Sequence, residues 1–92
     1  MAINNLYLQH KIGADMIKKY CAMYLFNRGI SLKLIEWSTD IFSDLEEHIL
    51  IINSQNWDAT LTFQTTELED YSRHLGISKI EHKIGQFIND AV

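Results

Sequence analysis

The sequence has no proline, only four glycines and a single cysteine among its 92 residues. Average usage would supply about four or five prolines in a chain of this length. Without proline, and without a Gly/Ser-rich stretch, no part of the chain has the composition of a linker. We therefore expect one domain over residues 1–92. Hydrophobic residues make up 47% of the chain, which argues against disorder.

Other absences bear on location. Cys21 has no partner for an intramolecular disulfide, which suits a reducing compartment. The amino-terminal stretch lacks the basic, apolar and small-residue order of a secretory signal. No apolar run reaches the roughly 20 residues that a membrane-spanning helix needs. These absences predict a cytoplasmic protein with no membrane association.

Positive charge is scarce as well, with eight basic residues against twelve acidic ones and a net charge of −4. The distribution is uneven, since residues 1–29 carry +3, residues 30–66 carry −5 and residues 67–92 carry −2. General affinity for nucleic acid comes mostly from bases that neutralise phosphates, so this balance argues against a nucleic-acid partner. A protein with a basic surface is a better match.

Helical periodicity appears first along the chain. A helix is predicted to end at Asn27 and to begin at Asn4 or at Ala14, depending on whether Gly13 separates a short amino-terminal piece. Gly29 fits the left-handed position that ends a helix. The residues expected to form the apolar stripe of this helix are Ile12, Met16, Ile17, Tyr20, Met23, Tyr24 and Asn27.

Three strands are predicted next. Residues 48–53 and 59–65 have the β-branched or alternating composition of strands. A capping-box pattern at Ser43–Glu46 leaves a helix over residues 43–53 as an open alternative. In the first strand, residues 30–37, alternation divides the side chains between two faces. The inward set is expected to be Ile30, Leu32 and Leu34 together with Leu50, Ile52, Leu61 and Phe63.

The last third of the sequence predicts two helix starts in succession. Thr66 with Glu69, and Ser78 with Glu81, each match a capping box, and Gly76 lies between them. The predicted fold class is therefore α+β. It has an N-terminal helix, a three-stranded antiparallel sheet and one broken or two short C-terminal helices.

The same region allows a DNA-binding alternative, a transcriptional regulator with a helix-turn-helix-like segment over residues 67–90. If Gly76 is the turn glycine, His82 and Gly85 fall at positions that such a motif buries, and neither is expected to pack well. Lys79 and Lys83 are the bases that this helix offers. A helix break that closes the core accounts better for the pattern.

Catalytic and metal-binding patterns are absent. The four histidines, at positions 10, 48, 74 and 82, show neither tight Cys/His spacing nor a His-Glu-x-x-His motif. Asp70 and His74 have the spacing of a surface helix pair. Cys21 lies in an apolar helix, as a packing residue would. There is no phosphate loop or nucleophile elbow. We predict no enzyme activity, no metal and no cofactor.

Two groups of residues are candidates for partner binding. The outer face of the predicted sheet is not uniformly polar, and such a face needs a helix, a second copy or a partner to cover it. An acidic cluster between the first two strands would steer the chain onto a basic surface. The predicted partner-binding residues are Ile35, Trp37, Ile49 and Ile51 on the sheet face, and Asp40, Asp44, Glu46 and Glu47 in the cluster.

These patterns favour a small acidic protein-binding module. We expect an inhibitor or adaptor that docks on a larger protein and occludes its surface. A protein that binds nucleic acid is among the targets that fit. Its size and charge match the small proteins that phages and other mobile elements encode, which is an analogy and not a derivation. The alternatives are the DNA-binding regulator and a structural subunit of a homo-oligomer, such as a homodimer formed through the apolar sheet face.

Overall fold

A computed structural model describes residues 5–91 of the chain. The elements are α1 (Asn5–Asn27), β1 (Leu32–Trp37), β2 (Glu47–Ser54), β3 (Asp58–Gln64), α2 (Thr65–Ser72) and α3 (Ile77–Ala91). The strands form one antiparallel sheet in the order β1-β2-β3. The predicted α+β fold is confirmed, and the segment that could have been a helix forms β2. No described helix combines the length and the apolar composition needed to cross a membrane.

Helix α1 runs unbroken through Gly13, which is a contact point and not a break. A Cβ atom on Gly13 would lie 1.9 Å from the carbonyl oxygen of Leu68 in α2, so only glycine allows the two backbones to come this close. Helix α1 ends in a Schellman motif at Gly29, as predicted. The φ of Gly29 is 73°, its N–H donates to Phe26 O, and the next N–H donates to Leu25 O.

The buried stripe of α1 differs from the predicted one. Ile12 and Met23, which were expected in the core, are exposed. The helix carries apolar residues on two sides, and the side with small residues packs inward because it lets α2 and the sheet approach. Between residues 7 and 27, the buried residues of α1 are His10, Gly13, Ala14, Ile17, Cys21 and Leu25.

A β-bulge in β1 changes which side chains face the core. Leu32 lies opposite Ser54, but Leu34 lies opposite Asn53, so β1 contains one extra residue at Lys33. Because strand side chains alternate, the extra residue reverses every position after it. Leu34 therefore lies on the outer face, whereas Ile35 and Trp37 lie on the inner face. The predicted faces of these three residues were wrong.

The three helices within residues 5–91 cover one face of the sheet. The core joins α1 to the inward residues of β2 and β3 and to the buried faces of α2 and α3. From the sheet and the two C-terminal helices it contains Leu50, Ile52, Leu61, Phe63, Leu68, Tyr71, Ile80, Ile84 and Ile88.

Both C-terminal helices begin two residues earlier than predicted. Helix α2 starts at Thr65, and the N–H of Gln64 donates to Glu67 Oε1 at 2.8 Å. Helix α3 starts at Ile77, directly after Gly76, whose φ is 61°. The carboxylates predicted to cap these helices make tertiary contacts instead. Glu69 binds His10, and Glu81 accepts a hydrogen bond from Tyr71.

The two edges of the sheet differ. In β3 the outward-pointing carbonyl of Thr62 accepts a hydrogen bond of 2.7 Å from Lys83 Nζ. On the other side of β2, Ser38 N donates a hydrogen bond to Ile49 O, which shows that Ser38 directs its backbone groups toward β2. Successive residues of a strand direct these groups to opposite sides, so the backbone groups of Ile35 and Trp37 point away from β2. No described residue forms a hydrogen bond with those groups, so β1 is the freer edge.

Candidate functional site

The outer face of the sheet carries an apolar patch that no described helix covers. The patch consists of Leu34 from β1 and of Ile49 and Ile51 from β2. Leu34 is 38% exposed, both isoleucines are partly exposed, and none of the three belongs to the buried core. We call the outer face of the sheet the open face. An uncovered apolar patch of this kind is typical of an interaction site.

The strand register explains how the open face is built. Ile51 lies between Glu36 and Thr60, and Ile49 lies opposite Thr62. Side chains directly opposite each other in an antiparallel pair share a face, so these residues form two rows across the sheet. The central strand carries aliphatic residues on both faces, whereas β3 places threonines outward. The apolar patch is therefore flanked by hydroxyl and carboxylate groups.

Acidic side chains lie on the open face and in the loop at one end of the sheet. Glu36 in β1 and Glu47 at the start of β2 are exposed. Residues 38–46, which join these strands and which we call the acidic loop, add Asp40, Asp44 and Glu46, also exposed. Among the described residues none of these five acids forms an ion pair. An apolar patch with a charged rim is the arrangement found at many protein interfaces.

Two acids of the loop also have local structural roles. Asp40 Oδ1 accepts a hydrogen bond of 2.9 Å from Phe42 N, and Asp44 accepts one from the hydroxyl of Tyr7 in α1. Ile41 is buried beneath the loop. These contacts hold the acidic loop against α1 and the core, and they place Asp44 on the side of the sheet that the helices cover.

The predicted sheet-face residues divide into two pairs. Ile49 and Ile51 lie on the open face, as expected. Ile35 and Trp37 lie on the covered face because of the bulge. The indole N–H of Trp37 donates to Ala14 O at 3.1 Å, and its ring packs edge-on against Phe63 with 5.8 Å between centroids. Sequence alternation missed Leu34 and Glu36, because no local pattern marks the extra residue at Lys33.

A buried pair of histidines was also missed. His10 Nε2 lies 2.8 Å from Glu69 Oε1, and His48 Nδ1 lies 3.0 Å from Thr39 Oγ1. The two rings are 6.5 Å apart between centroids. Burial lowers the pKa of His48; His10 lowers it further, and Asp40 opposes the shift. The histidines are far apart in the sequence, so no spacing rule could have joined them.

This histidine pair does not amount to a metal site. Among the described residues no group of three or more His, Cys, Asp or Glu side chains could hold a metal ion. The remaining nitrogens, His10 Nδ1 and His48 Nε2, are buried and have no hydrogen-bond partner in the described part of the chain. The pair is a polar element inside the fold, where α1, α2, β2 and the acidic loop meet.

The sequence also drew attention to Cys21 and to the Asp70–His74 pair. Cys21 is fully buried, and burial raises the pKa of its thiol to about 12, so the thiolate that a nucleophile requires is suppressed. Asp70 and His74 do not form the predicted surface pair. Helix α2 ends at Ser72, and His74 adopts a left-handed φ of 62° in the turn that follows.

The structure also places the residues of the DNA-binding alternative. Lys83 Nζ lies 3.0 Å from Glu67 Oε1 and 4.5 Å from the centroid of the Phe63 ring, so one of the two lysines is held by internal contacts. Lys79 and His82 are exposed. Gly85, expected to pack poorly, is buried against the ring of Tyr24. DNA binding stays an untested alternative.

No family model matches the sequence, and neither a curated protein nor a solved structure gives a match. The open face and the acidic loop are therefore the features from which a function is inferred.

Proposed function

We propose that this chain is a cytoplasmic, non-catalytic protein-binding module that docks on a larger protein with a basic surface. It would act as an inhibitor or adaptor by occluding that surface. The observation that supports the proposal is the uncovered patch of Leu34, Ile49 and Ile51, bordered by carboxylates that have no basic partner among the described residues.

The two parts of the surface would contribute differently to binding. Burying an aliphatic side chain fully is worth about 1.5–3 kcal/mol, so the apolar patch would supply the stability of the complex. The carboxylates of Glu36, Glu47 and the acidic loop would accelerate encounter with a basic partner and restrict its orientation. Removal of a rim charge would therefore slow association and reduce its dependence on salt.

The class of target follows from the charge. Surfaces that grip nucleic acid present clustered lysines and arginines to neutralise phosphates, so such a protein is one target that an acidic, apolar patch fits. An origin in a phage or another mobile element is part of the proposal only by analogy of size and charge.

Site-specific photocrosslinking in the native host tests the docking surface. A photoreactive residue at Thr60, exposed on the open face, is expected to give a defined adduct that mass spectrometry identifies. The same residue at Gln86, exposed on α3, is the matched control and is expected to give none. Adduct formation at Thr60 should be lost when Glu36→Lys and Glu47→Lys are combined, and retained in the control variant Asp90→Lys.

The identified partner is then purified for kinetic measurements. We expect the association rate to fall as salt rises, and to fall by roughly tenfold or more in the combined charge-reversal variant. Equal crosslinking from Thr60 and Gln86, or association that is indifferent to charge reversal, would contradict the proposal. A specific electrophoretic shift of upstream DNA that Lys79→Ala abolishes would favour the DNA-binding alternative instead.

A further inference from the structure

Helix α1 carries a second, exposed stripe on the side opposite its buried residues. Its apolar members at the two ends are Leu8 and Ile12, which are 44% and 45% exposed, and Phe26, which is 80% exposed. The spacing alternates between four and three residues, which is the a/d pattern of a coiled-coil seam. We call this set the outer stripe, and its members are Leu8, Ile12, Asp15, Lys19, Ala22 and Phe26.

The order of residues along the outer stripe is self-complementary. Apolar residues occupy both ends, and the opposite charges of Asp15 and Lys19 occupy the centre. If two copies of α1 pair in antiparallel orientation about a two-fold axis, Asp15 of each copy faces Lys19 of the other. The same register places Ile12 against Ala22 and Leu8 against Phe26. Parallel pairing in register would instead place Asp15 against Asp15 and Lys19 against Lys19.

A groove beside the stripe fits this arrangement. Between the last turns of α1 and the start of β1 lies an open groove of about 800 Å³. Antiparallel pairing would bring Leu8 of the second copy to Phe26, at the wall of this groove. The mostly apolar lining includes Ala22, Met23, Phe26, Ile30 and Leu32.

From the charge order and the heptad spacing we infer that a second copy of this chain binds the outer stripe and forms a two-fold antiparallel α1–α1 dimer. A polar pair at a central seam position is known to fix register and orientation in coiled coils, and Asp15–Lys19 has that role here. Lys11 also contacts Asp15, at 2.9 Å, but both side chains are about half exposed. Such a surface pair is weak and leaves the carboxylate able to bind a second base.

This dimer goes beyond the proposed function, because the outer stripe and the open face share no residue. Sedimentation equilibrium of the full chain over a range of concentrations tests it. We expect a monomer–dimer equilibrium in which Phe26→Glu raises the dissociation constant by roughly thirtyfold or more. Leu75→Glu is the matched control, because Leu75 is 53% exposed and lies outside the outer stripe. The dissociation constant of this variant should equal that of the unaltered protein.

A charge exchange tests whether the two central positions pair across the dimer, and a pair of cysteine variants tests its orientation. Asp15→Lys places lysines at both central positions, and Lys19→Asp places aspartates at both, so neither variant is expected to dimerise alone. An equimolar mixture of the two should form a heterodimer. In a separate pair of variants, Leu8→Cys mixed with Phe26→Cys should form a disulfide-linked heterodimer, while neither forms one alone.

Three results would overturn the inference. The first is a monomer at every concentration up to the millimolar range. The second is a dimer that persists unchanged in Phe26→Glu. The third is a dimer abolished by Ile51→Lys but not by Phe26→Glu, which would place self-association on the open face. None of these results depends on whether the basic partner of the proposed function exists.

Discussion

Gly13 in α1 lies directly against the backbone of Leu68 in α2. A Cβ atom at Gly13 would approach the Leu68 carbonyl oxygen to 1.9 Å and its carbonyl carbon to 2.7 Å. Backbone atoms, unlike the end of a side chain, cannot turn aside. The separation between α1 and α2 is therefore set by the absence of a side chain at one position.

Gly13→Ala is expected to destabilise the protein. Alanine is favoured over glycine by about 1 kcal/mol within a helix, but here the new methyl group would force the two helices apart. We expect the free energy of unfolding in urea to fall by about 1–3 kcal/mol, the range for an overpacked core. Gly85→Ala is the matched control, because its Cβ would meet the Tyr24 hydroxyl at 3.2 Å. The Tyr24 side chain can move aside, so Gly85→Ala should lose less stability than Gly13→Ala. An equal loss of the free energy of unfolding in both variants would contradict this expectation.

The bulge in β1 predicts opposite outcomes at two positions. Trp37→Ala should lower the free energy of unfolding by about 3 kcal/mol, because it removes a ring packed on the core. Leu34→Ala should lower it by less than about 1 kcal/mol, because that side chain lies on the open face. Denaturant titration measures both. The reverse ranking is expected if β1 had no bulge.

Folding stability should depend on the protonation of His48. Its pKa in the folded protein lies below the unfolded value of about 6.5 because burial disfavours the charged ring. As pH falls below about 6.5, the unfolded chain takes up a proton that the folded protein excludes, so stability is lost. The loss should level off once the pH lies below the folded pKa. Denaturant titrations between pH 7 and pH 5 measure it.

Two variants separate the contribution of the buried His48 from that of an exposed histidine. His48→Gln should have a smaller loss of stability between pH 7 and pH 5 than the unaltered protein. His82→Gln, at an exposed position on α3, should retain the full loss. A pH dependence that is identical in all three proteins would show that another group is responsible.

Cys21 should be unreactive in the folded protein. With its pKa raised to about 12 by burial, the thiol is protonated at pH 8, and reagents cannot reach it without opening of the core. Labelling by Ellman's reagent is expected to be at least about a hundredfold slower in buffer than in denaturing urea. Ser78→Cys in a Cys21→Ser background supplies an exposed control, which should react rapidly in both conditions. Rapid native labelling of Cys21 would contradict this description.

Sequence patterns were sufficient for the fold class because each element carries a local signal. The alternation in β3 and the Schellman glycine at Gly29 depend on neighbouring residues, and both are where the sequence predicted them. The apolar run in β2 favoured a strand because it is short and β-branched, although the capping-box pattern at Ser43–Glu46 left a helix open. These signals are local, so one sequence is enough to detect them.

The errors arose where the outcome depends on tertiary contacts. The bulge at Lys33 changes the faces of Leu34 and Trp37, and no residue type marks it. The inner side of α1 was misassigned because the helix is apolar on two sides, and the choice depends on how closely Leu68 approaches. The predicted capping carboxylates were engaged elsewhere, Glu69 by His10 for example. For the candidate site, the sequence alone was enough to predict Ile49, Ile51 and the four acids at positions 40, 44, 46 and 47. Leu34 and Glu36 could be assigned to the open face only from the strand register.

The lysine bound to the edge of β3 has a consequence for assembly. Another strand could pair with β3 only after displacing Lys83 from the carbonyl of Thr62, whereas the backbone groups of Ile35 and Trp37 in β1 have no partner among the described residues. Exposed edges are where sheets recruit further chains, and charged side chains there oppose it. Two copies that paired through their β1 strands would leave only their β3 edges exposed, where Lys83 opposes further pairing. Such closed pairing would oppose the open-ended stacking that produces fibrils.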